Sequence, residues 1–305
     1  MSFQQIHIIS SSQIDKSKWN DRINKSSNGL IYANSFYLDA MTDHWHGLII
    51  GDYESVMPLP WRKKYGIRYL YTPAFMQQLG LIGTESVDVN TVIQELYLFA
   101  GYGDYLFNFT NNSMETSITV KNCNNYILDF SIGYESINSN YKTNLLRNLN
   151  KSQSEILQYS TSENILAAID MHQQLQSQNI SHVSIADYDR FKKLALLLHA
   201  QNQCIIREVK NNSGQILSAA LLLKDDRRIY NIINATTEAG KNTNANHFLM
   251  DQIIKEFAGQ ALLFDFEGSN IPGVKNFYEM FGTLNQPYFH WHFNKLPWPL
   301  RLLKS

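Results

Sequence analysis

Apolar and polar positions along this chain switch between two periods, and the switches mark out its elements. Residues 3–9 alternate in the manner of a strand. Asp15 is placed to cap a short helix that sets Trp19 and Ile23 on one face, four residues apart. Residues 47–52 and 55–61 read as a strand pair turning at Gly51-Asp52. The basic turn Arg62-Lys63-Lys64-Tyr65-Gly66 leads into a third strand, 67–72. A helix over 88–100 is followed by alternating strands at 105–110, 114–120 and 126–130.

In the second half, 138–150 is a basic helical stretch and 155–159 a strand. Ser162 is placed to cap a helix that buries Ile165, Ala168, Ile169 and His172. A second helix repeats that spacing with Phe191, Leu194, Ala195 and Leu198. The period then becomes two. Residues 204–209 and 215–223 form a hairpin about Asn211-Asn212-Ser213-Gly214, and 228–234 a further strand. The run 239–246 is small and polar throughout, and it leads into a helix carrying Met250, Ile253, Ile254 and Phe257 on one face. A strand at 262–266 follows, so the unit reads as a parallel crossover with the polar loop at a helix N-terminus, where backbone N–H groups suit a phosphate.

The stretch 261–282 carries the most chemistry. Asp265 and Glu267 alternate with Phe264 and Phe266, which predicts both acids on one face of a strand and both rings on the other. Pro272 opens a helix with Val274, Phe277, Tyr278 and Phe281 at helical spacing, and Gly282 closes it. A buried strand ending in acids beside a helical tyrosine is a candidate site.

The totals narrow the class. A length of 305 residues suggests two domains, and 44% hydrophobic residues are enough for two cores. Lys+Arg 26 against Asp+Glu 27 argues against a nucleic-acid binder with an extended basic face. Cys123 and Cys204 fall in different halves, which reads as two free thiols in a reducing compartment. The N-terminus lacks the pattern of a signal peptide, and no apolar run approaches the roughly 18 residues needed to span a bilayer, so the expectation is a cytosolic protein. His44/His46 and His290/His292 share strand faces, but two ligands each and no cysteine fall short of a metal site.

The order strand, two helices, three antiparallel strands, helix, strand, helix, strand resembles a GNAT acyltransferase domain. Phe277-Tyr278-Glu279-Met280-Phe281-Gly282 is similar to that family's tyrosine helix. Lys241, Asn244 and Asn246 stand where the family places Arg or Gln, glycine, and glycine or alanine for the pyrophosphate of coenzyme A. A resemblance to tandem GNAT-like proteins related to the Fem peptidyltransferases (FemABX-like) covers most of the chain. It rests on Pro58-Leu59-Pro60, Tyr69-Leu70-Tyr71-Thr72-Pro73, Gln77-Gln78-Leu79-Gly80, Asn144-Leu145-Leu146-Arg147-Asn148-Leu149, Asp265-Phe266-Glu267-Gly268 and the tyrosine helix.

That resemblance implies a mixed α/β (α+β) protein of two tandem GNAT-like domains, 1–136 and 137–305, with largely antiparallel mixed sheets flanked by helices and facing each other across a cleft. It implies acyl or aminoacyl transfer to a small-molecule or peptide amine, as on a peptidoglycan precursor. Acyl-coenzyme A or aminoacyl-tRNA serves as co-substrate, with no tightly bound cofactor. A tRNA partner and peripheral membrane contact through a lipid-linked substrate follow from the same resemblance. A GNAT fold kept as a non-catalytic cell-wall or polysaccharide binder is the alternative of another class. The candidate catalytic residues are Glu267 and Asp265, as bases for the attacking amine, and Tyr278, as acid or oxyanion donor. Gln77, Gln78, Arg62, Arg147 and Ser269 are candidates for binding substrate, and Lys241, Asn244 and Asn246 for binding the donor. The tail from Trp298 to Lys304 reads as docking against the core.

Overall fold

Strand pairing, rather than chain order, divides this protein into two units. The computed structural model describes residues 5–83, 88–153, 155–176, 183–298 and 301. One unit combines Met1–Cys123 with Pro287–Ser305, and the other is Asn124–Gln286. The division thus falls at 123 and 286, whereas the sequence placed it at 136. The reason is hydrogen bonding: a strand just after Cys123 pairs into the second sheet, and the last strand of the chain pairs into the first.

The first unit contains β1 (Ile6–Ser10), β2 (His44–Ile50), β3 (Ser55–Lys64), β4 (Ile67–Leu70), β5 (Ile82–Gly83), β6 (Tyr102–Phe107), β7 (Lys121–Cys123) and β15 (Tyr288–Asn294). Their order is β1-β2-β3-β4-β6-β15-β7, with β5 on β3. Only β4–β6 is parallel among these ladders. The helices are α1 (Lys16–Lys25), α2 (Ser35–Met41) and α3 (Val89–Phe99). Asp15 caps α1 by accepting the Ser17 and Lys18 N–H groups, and Trp19 and Ile23 are buried as their spacing predicts. The expected strand at 114–120 is absent. A 3-10 turn, Asn111–Thr116, stands at its start. Asn108 and Asn111 account for it, because their side chains bond the Thr110 N–H and the Leu81 N–H and C=O. Such local bonds compete with strand pairing.

The second unit contains β8 (Tyr126–Asp129), β9 (Gln158–Ser162), β10 (Cys204–Lys210), β11 (Ile216–Lys224), β12 (Arg228–Thr236), β13 (Leu263–Asp265) and β14 (Leu284–Asn285). The sheet runs β14-β8-β13-β12-β11-β10-β9. Its helices are α4 (Tyr134–Asn138), α5 (Thr143–Gln153), α6 (Ile165–Gln176), α7 (Ile185–Ala200), α8 (Glu238–Asn242), α9 (Ala245–Phe257) and α10 (Pro272–Glu279). Leu249, Met250, Ile253 and Ile254 of α9 pack against Ala220, Leu222, Ile229, Phe264 and Phe266 in one core cluster. Helices α6 and α7 pack on β10, β11 and β12 without joining that cluster, which places them on the opposite face. Asn164 caps α6 through the Ala167 N–H, so Ser162, expected as the cap, instead ends β9.

Two features of β12 prepare the site. It pairs with β13 in parallel, as the crossover pattern predicts, but only over Arg228, Ile229 and Tyr230. Against β11, Leu221 faces Ile233 and Leu223 faces Tyr230, so Leu222 opposes both Asn231 and Ile232. Two residues against one is a β-bulge, which bends its strand. The bulge sets Asn231 just past the point where β12 and β13 stop pairing.

Ile253 lies fully buried at the centre of the α9 contact. Ile253→Ala should destabilise the second unit by about 2–5 kcal/mol. Urea unfolding followed by far-ultraviolet circular dichroism reads this directly. A loss under about 1 kcal/mol would mean that this face of α9 does not seal the core.

Candidate active site

Asp265 ends β13 and is 1% exposed. Its Oδ2 accepts from Arg228 Nη1 at 2.5 Å and from Asn125 Nδ2 at 3.1 Å, and its Oδ1 accepts the Glu267 N–H at 3.0 Å. Arg228 is itself 5% exposed and extends its other arm to Gln286 Oε1 at 3.2 Å. Every donor on Asp265 is a protein group. A buried carboxylate bound in this way holds the ends of β12 and β13 together. Asn125 also accepts the Gly268 N–H, and a Cβ at Gly268 would come within 2.2 Å of the Asn124 carbonyl oxygen. Only glycine fits there.

Glu267 takes a different course from the alternation predicted for it. The strand stops at Asp265, and Glu267 adopts φ 58, a left-handed conformation uncommon outside glycine. The residue is half-buried, yet its Oε1 is sealed from solvent without a hydrogen-bond partner. Burial pushes the carboxyl up to about 8. Tyr278 of α10 rests its ring on Phe266, centroids 5.0 Å apart, and on Tyr126 at 6.1 Å. Burial, then the charges of Glu267 and Asp265, raise its hydroxyl pKa, so it keeps its proton. Glu267 and Tyr278 are thus brought into electrostatic contact, one as a carboxyl poised near neutrality and the other as a neutral donor.

The polar run 239–246 is mostly not a loop. Thr237 caps α8 through the Gly240 N–H, and the N–H groups of Lys241, Thr243 and Asn244 bond Thr237, Ala239 and Lys241 carbonyls. The N–H groups of Gly240, Lys241, Thr243 and Asn244 are therefore engaged by the chain itself, whereas Asn244 gives the first turn of α9 no side-chain cap. Lys241 is exposed and pairs with Glu238 at 3.1 Å. Asn244 takes φ 55 at the start of α9 and donates to the Asn148 carbonyl at 3.4 Å. Asn246 Oδ1, His247 Nδ1 and both side-chain atoms of Asn231 are buried without partners. Each such orphan costs about 1–3 kcal/mol unless something else supplies the bond.

The other candidates lie apart from this group in their bonding. Gln78 is fully buried, donates to Gln77 Oε1 at 2.6 Å and accepts the Phe109 N–H at 3.2 Å. Arg62 is ion-paired with Asp43 and lies over the Tyr71 ring at 4.2 Å. Both belong to the first unit. Arg147 is exposed on α5, and Ser269 Oγ accepts the Ile271 N–H just before α10. His290 and His292 both bond Asp104 Oδ1, and His44 stacks on Trp61. Among the described residues, no group of three or more His, Cys, Asp or Glu is arranged to hold a metal. Likewise, no helix there is long and apolar enough to cross a membrane. Of the tail, Trp298 is 79% exposed, and residues 299–300 and 302–304 lie outside the described residues.

No family model matches the sequence, and no curated protein matches it. Solved structures do match in fold. FemX superposes with a TM-score of 0.66 at 12% identity, covering 98% of this chain and 99% of that one. The chain has a tandem GNAT-like fold of the kind FemX has. The C-terminal domain of a putative lysylphosphatidylglycerol synthetase from Agrobacterium fabrum gives a TM-score of 0.57 at 11% identity, with 96% and 95% covered. A tandem GNAT protein from the clavulanic acid biosynthesis pathway gives 0.55 at 8% identity, with 96% and 99% covered. In this GNAT-like setting the mixed α+β class and the two mixed sheets agree with the sequence-based expectation. Sequence reasoning overlooked Arg228, Asn125, Asn231 and His247. The first two are invisible without the pairing of distant strands. His247 had a signal, because a histidine in the first turn of an apolar-faced helix is out of keeping with packing alone.

Two measurements check the electrostatics. Arg228→Met removes the partner of a buried carboxylate and should destabilise by about 3–5 kcal/mol. Glu267 has an ordinary pKa of 4.5 in the unfolded chain and about 8 when folded, so the folded state holds its proton longer. Its contribution is fullest below about pH 4.5 and is lost as pH rises towards 8, at up to about 1.4 kcal/mol per pH unit. Glu267→Gln should flatten that part of the stability–pH curve, as measured by urea unfolding at several pH values. An unchanged slope would place the carboxyl in water.

Proposed function

We propose that the second unit catalyses transfer of an acyl group to an amine, with an aminoacyl ester as donor. The observation carrying this reading is Glu267, whose Oε1 is sealed from solvent without a partner and whose carboxyl is raised by burial to about 8 beside Tyr278. An amine attacks a carbonyl only when neutral, and a base of this strength suits removal of its proton near physiological pH. Tyr278, neutral and hydrogen-bearing, returns a proton to the leaving oxygen. Asp265 and Arg228 hold both in place without entering the reaction.

Lys241, the cation of the run 239–246, is paired with Glu238, which supports an aminoacyl donor over acyl-coenzyme A. The fold neighbours include a protein named for lysylphosphatidylglycerol synthesis, which is consistent with an aminoacyl group as the one transferred. The acceptor class is a small-molecule or peptide amine.

Purified protein should transfer alanine from alanyl-tRNA to members of a primary-amine panel, and calorimetry should detect no micromolar binding of acetyl-coenzyme A. Glu267→Gln should lower kcat about 10²–10⁴-fold. Because the base acts unprotonated, kcat/KM should climb as pH rises through about 8. Tight acetyl-coenzyme A binding, or transfer undiminished in Glu267→Gln, would sink the reading.

A further inference from the structure

His247 is the third residue of α9, and its ring makes an edge contact with Phe277, centroids 4.9 Å apart, next to Tyr278 in sequence. Its Nε2 lies 3.1 Å from Asn148 Nδ2. An amide nitrogen only donates, so Nε2 is the accepting nitrogen and the hydrogen of the neutral ring sits on Nδ1. That Nδ1 is buried and has no protein partner. Burial also lowers the pKa of the ring, and the positive end of α9 opposes an imidazolium in the same sense. The ring is therefore a fixed, neutral N–H donor that donates to nothing in the protein. Asn231 reinforces the point. It is 3% exposed, lies at the β12 bulge in the sheet that α9 covers, and carries an unpartnered Nδ2.

We propose that His247 is a catalytic residue whose Nδ1–H donates to the acyl oxygen of the substrate, with Asn231 Nδ2 as the second donor. This rests on the acyl-transfer reading. When the amine nitrogen bonds to the acyl carbon, the carbonyl π electrons move to oxygen, and the two N–H groups hold that oxyanion. Glu267 takes the amine proton. On collapse the oxygen re-forms its double bond, the carbon–oxygen bond to the tRNA ribose breaks, and Tyr278 protonates the leaving hydroxyl. The nitrogen loses two protons in all. Glu267 takes the first before attack and later releases it to solvent. The second passes from the tetrahedral nitrogen to the Tyr278 oxygen that protonated the leaving ribose, so amide, free tRNA and one released proton balance the step. A neutral imidazole suits this role because it polarises oxygen without adding a charge that would repel the incoming ammonium.

Long-range ¹⁵N–¹H spectra of histidine-labelled full-length protein read the tautomer directly. The wild type should carry its proton on Nδ1. In Asn148→Asp the carboxylate accepts from the ring, so the proton should move to Nε2 while the ring stays in place. With alanyl-tRNA and a primary amine, His247→Phe should lower kcat at least 100-fold with KM little changed. Asn148→Asp should lower kcat comparably at an unchanged Tm, and His247→Gln, which keeps an N–H donor, should recover part of the loss. An Nε2–H tautomer in the wild type overturns the inference, as does transfer that survives His247→Phe within threefold. Absence of any transfer by the wild type instead overturns the acyl-transfer reading, and this inference with it.

Discussion

The ion pair between Arg228 and Asp265 is the constraint on which the strand ends of the second unit depend. Both groups are almost wholly out of water, and such a pair is tolerated only when the remaining hydrogen-bonding capacity is filled. Asn125, Gln286 and the Glu267 N–H fill it. The pair therefore ties together β12, β13, the chain just ahead of β8, and the segment that follows β14. With those four places fixed, the bend in β12 and the reversal after Phe266 have no freedom to close the gap between the strands.

Two carboxylates two residues apart meet opposite fates as a result. Asp265 is surrounded by donors and serves as a fastener. Glu267, turned by its left-handed backbone, loses water without gaining a partner, and its proton is retained to about 8. Environment rather than residue type sets the roles, because desolvation and hydrogen bonding move a carboxyl in opposite directions.

The start of α9 shows the same division of labour. Between Thr237 and Asn244 the chain consumes much of its own hydrogen-bonding capacity. Just beyond, Asn246 and His247 carry buried atoms with no partner, as does Asn231 of β12. Polar groups left in that state oppose stability, and function is the usual reason for keeping them.

Much of this was legible in the sequence. Met250, Ile253, Ile254 and Phe257 at helical spacing dictated the buried face of α9, and a strand–helix–strand order dictated the parallel pairing of β12 with β13. Those patterns are local, and a period needs only neighbouring residues to be read. The sequence also marked Glu267 and Tyr278 as candidates by their place between a buried strand and a helix. It had no means of telling Asp265 from Glu267, since the arginine that separates them lies 37 residues away on another strand. Nor did it indicate that the strand at Tyr288–Asn294 pairs with β6 and β7, because pairing depends on which edge is open. Only the tertiary structure decided which polar groups found partners and which were left without one.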